Sequence, residues 1–181
     1  GPVGMFACLD LCAIGIPHVY AINFGVQEQK ENLAKAFGVE HVFRLDGTDN
    51  DQKIVTKLTE ITGGLGVDLV FEASGAPAAV PMGLSLLRNR GVYLVPGQYS
   101  NHGDVAISPQ LITFKALQIL GSSQYSMVDV RKYLDFLSAH PELHDKIRAL
   151  STGYPVEKVN EAFADAMAGK NIKTMLVPTE E

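Results

Sequence analysis

The residues best placed to do chemistry stand at the start of the chain, where Gly1-Pro2-Val3-Gly4 sets two glycines at G-x-x-G spacing in front of an apolar stretch. A G-x-x-G turn entering a helix meets two needs of a bound phosphate. Glycine lets the backbone come close, and free N–H groups at the positive helix end face the anion. Pro2 suits the first helical turn, because a missing N–H costs nothing there. The spacing is also the back half of G-x-G-x-x-G, which implies that the front half lies upstream and that the chain is a piece of a longer protein. The glycines alone serve a tight turn equally well, so their neighbours decide.

In a dinucleotide fold, a group that reads the adenosine ribose follows the glycines by about 20 residues. Here the strand-like segment His18 to Asn23 ends on an amide. A carboxylate would accept bonds from both ribose hydroxyls and repel a 2′-phosphate, whereas Asn23 bonds without charge and discriminates less. The nearest cation is Lys30. The next strand ends read EASGAP and VPGQYS, which put Ser74, Gly75 and Gly97 at a rim where backbone can lie close to a flat ligand. The plainer reading is that these glycines only break strands.

Other candidates lead away from catalysis. Asp68 and Glu72 read as strand-edge groups and not as an acid/base pair, and no nucleophile stands beside a plausible base. Cys8 and Cys12 share one helix and read as small buried thiols. His140 and His144 have helical spacing but Pro141 between them, so they read as surface histidines beside a helix end and not as a zinc site. No catalytic or metal-ligating residue is assigned.

The elements that would position this rim alternate along the chain. Helices are expected at Val3–Ile14, Gln27–Phe37 (ending at the C-cap Gly38), from Asp49 to Thr62, at Ala78–Leu87, near PQLITF and at Val128–Ala139. Strands are expected at His18–Asn23, His41–Leu45, Val67–Ser74, GVYLVPG and LQILGS. Val67–Ser74 is a near-continuous apolar run that suits a parallel strand covered on both faces. Such alternation means βαβ units and an α/β fold of the Rossmann type, a doubly wound parallel sheet. In the strand order 3-2-1-4-5-6 the strand before the glycine turn is central. The sheet of these residues is therefore expected to lack that strand: either it lies upstream of Gly1, or another chain or a rearranged segment fills the gap. Residues 1–147 form the dinucleotide-binding domain. Residues 148–181 form a small C-terminal helix–strand segment, whose helix buries Val159, Ala162, Phe163 and Ala166 on one stripe.

Composition bounds the partners. The chain has 181 residues, 46% of them hydrophobic and 19% charged, the balance of a folded protein. A formal charge of -5 offers no general attraction to nucleic acid or anionic lipid. No apolar run reaches the roughly 18 residues of a membrane span. The opening residues lack a basic region and carry Asp10 within the apolar stretch, unlike a signal peptide. The expected location is cytoplasmic.

Taken in order, "GPVGMFACLDLCAIG", "LAKAFGVEHVF", "GVDLVFEASGAP", "LLRNRGVYLVPGQ" and "LQILGSSQYS" resemble the cofactor half of the medium-chain dehydrogenase/reductase family, the zinc-type alcohol and polyol dehydrogenases. "TGYPVEKVNEAFADAMAGKNIKTMLVP" resembles that family's C-terminal segment, and the likeness covers essentially the whole chain.

The resemblance implies NAD or NADP as cofactor, with Gly1, Pro2, Val3 and Gly4 at the pyrophosphate. Counting forward from Gly4, Asn23 takes the place of the ribose-binding aspartate; counting backward from "LAKAFG", Gly25 does. The loop is then longer than usual, Lys30 matches a basic residue lining the adenosine ribose, and the choice between NAD and NADP stays open. Ala73, Ser74 and Gly75 would flank the cofactor. Val95 and Gly97, with Gly121, Ser122 and Ser123, would present backbone groups to the nicotinamide carboxamide.

Zinc is implied only on an N-terminal catalytic domain, through which the small-molecule substrate would also be bound, so this chain alone would bind cofactor and catalyse nothing. The C-terminal helix would pack on that domain. A homo-oligomer, such as a dimer, would form through Leu117–Gly121. A zinc-independent quinone or enoyl reductase of the same family, and a non-catalytic nucleotide-binding module, are the alternatives.

Overall fold

The computed structural model describes residues 1–25, 27–45 and 50–178. In chain order the elements are α1 (Pro2–Ala13), β1 (Tyr20–Phe24), α2 (Glu28–Phe37), β2 (His41–Leu45), α3 (Asn50–Ile61), β3 (Val67–Phe71), α4 (Ala79–Leu86) and β4 (Leu87–Val95). They continue with α5 (Pro109–Phe114), β5 (Gln118–Gly121), α6 (Met127–Ala139), α7 (His144–Arg148), β6 (Ser151–Pro155), α8 (Val159–Met167) and β7 (Lys173–Val177). Asp49, expected to cap α3, lies outside the described residues.

The chain forms two compact units. One holds Gly1–Val19, Gln29–Val39 and the chain from Tyr125 onward; the other holds Tyr20–Glu28 and Glu40–Gln124.

In the first unit α1 begins at Pro2, with the Gly1 carbonyl accepting from Met5 N at 3.2 Å, and it buries Met5 and Leu9. α2 buries Ala34 and Phe37 at helical spacing and stops at Gly38, whose φ of +110° provides the expected C-cap. A side chain at Gly38 would lie 3.5 Å from Cys12, so the end of α2 meets α1 closely. α6 opens with a capping box: the Asp129 N–H donates to Ser126 Oγ, and Ser126 N and Oγ each donate to Asp129 Oδ2 at 2.8 Å.

The C-terminal part departs from expectation. STGYP, ahead of the helix and single strand expected here, forms β6 and pairs in parallel with β7 from Ser151↔Lys173 to Pro155↔Val177. The buried Tyr154 hydroxyl explains part of this: it donates to Asp165 Oδ2 at 2.8 Å and accepts from Asn171 Nδ2 at 3.0 Å, tying β6 to α8 and the turn before β7. The stripe expected on α8 is buried only at Ala162, with Val159 half-buried; Ala166 is exposed and Phe163 is 65% exposed. Among the described residues of this unit, nothing covers Phe163.

In the second unit β1 and β2 pair in parallel from Tyr20↔His41 to Phe24↔Leu45. β3, β4 and β5 form a separate parallel sheet in that order. Both sheets pack on one core, where Phe43, Ile54, Leu58 and Leu86 are buried and the half-buried Tyr20 and Ile22 of β1 and Val67 and Val70 of β3 pack against them. Among the described residues β1 and β3 do not pair with each other, so the sheet breaks where a central strand was expected to be missing.

The break corrects one expectation. β3 is not covered on both faces: Asp68 and Leu69 are exposed, Leu69 by 39%. β3 also ends at Phe71 and not at Ser74, because Glu72 turns its side chain back onto the following loop. β4 starts at Leu87, directly after α4 and ahead of the GVYLVPG run, because Leu86 and Leu87 are both buried and leave no room for a loop. Lys115 Nζ closes that junction, donating to Ser85 O at 2.9 Å and Leu87 O at 2.6 Å.

Tyr93 of β4 is 1% exposed and sits where a Cβ on Gly83 of α4 would overlap its ring. Gly83→Ala is therefore expected to lower stability by about 1–3 kcal/mol through overpacking, read by urea unfolding; an unchanged midpoint would show that the helix shifts freely. Ser126→Ala is expected to cost about 1 kcal/mol as a lost N-cap. The Ser126 backbone and hydroxyl hold the Asp129 carboxyl below its ordinary 3.8, so the cap contributes fully above that pH and fades as pH falls through the lower folded value. The gap between wild type and Ser126→Ala should thus narrow in strong acid; a gap independent of pH would contradict the capping account.

Candidate functional site

Open parallel sheets bind ligands outside the carboxyl ends of their strands. In the second unit the ladder places Phe71 beside Leu94, and Val95 beside Gly121, so three loops leave the sheet side by side. These are the loops beginning at Glu72, Pro96 and Ser122.

The first two loops are joined through Glu72. It is 5% exposed, and its Oε1 accepts from Ser74 N at 2.7 Å, Ser74 Oγ at 2.5 Å and Gly75 N at 3.1 Å. Its Oε2 accepts from Gln98 Nε2 at 3.0 Å, and Gln98 Nε2 also reaches Ala76 O at 3.1 Å. Main-chain bonds reinforce the junction: Gly97 N donates to Glu72 O at 2.8 Å, and Glu72 N to Leu94 O at 2.9 Å.

The glycines of the rim are there because the loops touch. A Cβ on Gly75, whose φ is +72°, would stand 2.7 Å from Gly97 O. A Cβ on Gly97 would stand 2.7 Å from both Glu72 O and Oε2 and 2.8 Å from the Ala73 carbonyl carbon. Any side chain at either position would force the loops apart. The Ser74 hydroxyl accepts from Ala76 N at 3.1 Å while donating to Glu72, so its proton is already committed within the loop. On the third loop, Ser122 N donates to Val95 O at 3.3 Å, which holds the start of Ser122–Ser123 against the end of β4.

The end of β1 carries a second polar feature in this unit. Gly25, with φ of +69°, turns the chain and donates from its N–H to Leu45 O at 2.6 Å. Asn23 Nδ2 and Gln27 Oε1 are both buried without a hydrogen-bond partner, while Gln27 Nε2 donates to Phe24 O at 3.1 Å. Buried polar atoms are normally paired. Here an unpaired donor in β1 and an unpaired acceptor just before α2 lie four residues apart in the sequence.

The remaining candidates fall as follows. Gly1, Pro2, Val3 and Gly4 form the N-terminal turn of α1, and Lys30 lies half-buried on α2, all in the first unit. Burial, then the neighbouring Cys12, push the Cys8 thiol up to about 11, so it is an unreactive thiol at neutral pH. His140 Nδ1 lies 3.0 Å from Glu142 Oε1, and His144 Nε2 lies 3.0 Å from Leu137 O. Among the described residues no three His, Cys, Asp or Glu side chains gather to hold a metal ion, so no step through zinc is assigned to them. Asp68 is an exposed strand-edge group paired with Arg88 at 2.5 Å. Glu72 is not such a group, because it is buried at the rim. An open groove along α3 and α4, lined by Val55, Pro81, Met82 and Ser85 among others, carries no titratable side chain among the described residues.

Three residues escaped the reading of the sequence: Glu72 as an organiser, Gln98 and Gln27. A signal existed for the first, since an acid two and three residues before Ser-Gly at a strand end is spaced to accept from their N–H groups. Gln27 and Gln98 gave none, because their roles depend on what the fold buries.

Residues 2–139 match the family model described as zinc-binding dehydrogenase. D-xylulose reductase A of Aspergillus oryzae is 29% identical over 180 residues, an alignment covering 97% of this chain and 48% of that protein. Among solved structures, an alcohol dehydrogenase from Thermotoga maritima superposes with a TM-score of 0.87 at 22% identity, over 99% of this chain and 48% of its own. An alcohol dehydrogenase zinc-binding domain protein from Burkholderia ambifaria gives 0.85 at 26% identity, over 99% and 47%. The chain thus spans about half the length of the relatives it matches. With a parallel α/β architecture, glycine-lined strand ends and a family match over most of its length, the chain belongs to the zinc-binding dehydrogenase family.

Proposed function

We propose that this chain is the nicotinamide-dinucleotide-binding portion of an alcohol or polyol dehydrogenase. The observation that carries the reading is the contact of Gly75 with Gly97 at the ends of adjacent parallel strands, which clears a backbone-lined rim for a flat ligand. Ala73, Ser74, Gly75, Val95, Gly97, Gly121, Ser122 and Ser123 supply that rim. Asn23 and Gln27, with the turn at Gly25, supply the ribose contacts through their unpaired amide atoms. On sequence position alone, Gly1, Pro2, Val3 and Gly4 take the pyrophosphate role and Lys30 a place beside the ribose.

The bound cofactor supplies hydride transfer to and from an alcohol carbon. These residues bind it, orient it and hold water off its face. Relatives named as D-xylulose reductases favour a polyol or ketose as the partner of that transfer. The substrate and any zinc belong to a catalytic domain outside residues 1–181, on which residues 148–181 would pack.

The amides of Asn23 and Gln27 carry no charge to repel or attract a 2′-phosphate, so the chain should accept both cofactors. In fluorescence titrations NADH and NADPH should bind with affinities within about tenfold of each other. Asn23→Asp should shift the ratio toward NADH by about tenfold or more, through repulsion of the 2′-phosphate. No saturable binding of either cofactor would sink the reading; an unchanged ratio in Asn23→Asp would remove Asn23 from the ribose site.

The β5 edge supports self-association. All of Gln118–Gly121 is exposed, Ile119 and Leu120 are apolar, and among the described residues β5 ends its sheet with one side unpaired. The chain should sediment as a dimer, and Leu120→Lys should shift it to monomer; a Leu120→Lys dimer would place the interface elsewhere.

A further inference from the structure

We infer that Glu72 is the positioning residue of the cofactor rim: one buried carboxylate sets the loop after β3 and the loop after β4 in a single arrangement. This rests on the cofactor reading above, but its structural content can be measured without cofactor.

Each carboxylate oxygen serves a different loop. Oε1 gathers the two N–H groups and the hydroxyl of Ser74–Gly75, and Oε2 holds the Gln98 amide. The same Gln98 nitrogen returns to Ala76 O, closing a ring of bonds that passes through both loops. The glycine contact alone would not hold this geometry. Gly75 and Gly97 permit close approach, yet glycine is the residue most free to leave a given conformation. Something must take up that freedom, and at this junction Glu72 supplies hydrogen bonds to both sides. The Gly97 Cβ position is blocked by Glu72 Oε2 itself, so the carboxylate also forms the floor under the second loop.

Two consequences separate this from a general packing role. The Ser74 hydroxyl is a loop strut, so Ser74 meets a ligand through its backbone. Glu72 itself faces the loops, and its effect on a ligand passes through Ser74, Gly75 and Gly97. Loss of the carboxylate should therefore loosen two named amides and weaken cofactor binding while the β3–β4 ladder stays intact. A carboxamide, which keeps one acceptor oxygen, should restore most of the order.

The test uses the full chain and compares wild type, Glu72→Ala, Glu72→Gln and Gln98→Leu. The readouts are residue-resolved amide exchange without cofactor and NADH titration. In Glu72→Ala, the Ser74 and Gly75 amides should exchange about tenfold faster or more, with the Val92–Leu94 amides unchanged. The NADH dissociation constant should rise by about tenfold. Glu72→Gln should return the Ser74 and Gly75 amides to within about threefold of wild type, because Oε1 can still accept from them, while its amide nitrogen faces the Gln98 donor and leaves NADH binding weakened as in Gln98→Leu. Gln98→Leu should weaken NADH binding and leave the Ser74 and Gly75 amides protected.

Wild-type exchange at Ser74 and Gly75 in Glu72→Ala would overturn the inference. So would unaltered NADH affinity in a chain whose loops had loosened, or Ser74 and Gly75 amides that exchange as fast in Glu72→Gln as in Glu72→Ala. Should Glu72→Ala unfold the chain, the Glu72→Gln and Gln98→Leu pair decides: each should weaken NADH binding by more than about threefold with the Ser74 and Gly75 amides still protected, and wild-type affinity in either would overturn the inference. Absence of NADH binding to wild type would refute the cofactor reading alone, and the exchange result would still decide whether Glu72 orders the loops.

Discussion

A carboxylate withdrawn from water must find its hydrogen bonds within the protein, and at Glu72 that requirement shapes the whole rim. The side chain lies one residue past the end of β3, where the ladder to β4 has just closed. By accepting from the next residues of its own loop it stops the strand, and by accepting from Gln98 it draws in the neighbouring loop. Gly75 and Gly97 are then a consequence. Two loops bound to one small group come so close that neither has room for a Cβ. The bare backbone surface left behind is what a planar cofactor would lie against.

The constraint extends into the sheet. The three loops leave in register because β3, β4 and β5 are parallel neighbours, and the start of β4 is set by the buried pair Leu86 and Leu87 at its junction with α4. Tyr93 locks the middle of the strand against Gly83. Burial, then the charge of Glu72, raise the Tyr93 hydroxyl far above its ordinary value, so it stays a neutral phenol beside the carboxylate. Core packing and rim chemistry are thus continuous along one strand.

Much of this was legible in the residues. The α2 helix with its glycine cap, the β2 strand and the helical turn at PQLITF follow from period and punctuation. So did the position of Gly75 and Gly97 at strand ends, and the break between β1 and β3. The misses share one cause, which is that local pattern does not report what a neighbour does. VDLVF looks like a doubly covered strand but is open at Leu69, since coverage needs a paired sheet. STGYP carries no strand signal of its own but becomes β6 because β7 and Asp165 are there to receive it. The α8 stripe is apolar in sequence, yet Phe163 is left largely exposed among the described residues. At the site, Glu72 reads as one more strand-edge acid until its burial is known, and the unpaired amides of Asn23 and Gln27 become visible only once water is excluded from them.

The central claim is that the strand-end loops of the second unit, ordered by Glu72, form the surface that receives a nicotinamide dinucleotide. Chemical-shift mapping of the chain during titration with NADH tests it most directly. The account predicts that perturbed amides concentrate at Asn23, Gly25, Ser74, Gly75, Gly97 and Ser122, with the α3–α4 groove silent. Perturbations centred on that groove, with Gly75 and Gly97 unmoved, would contradict it.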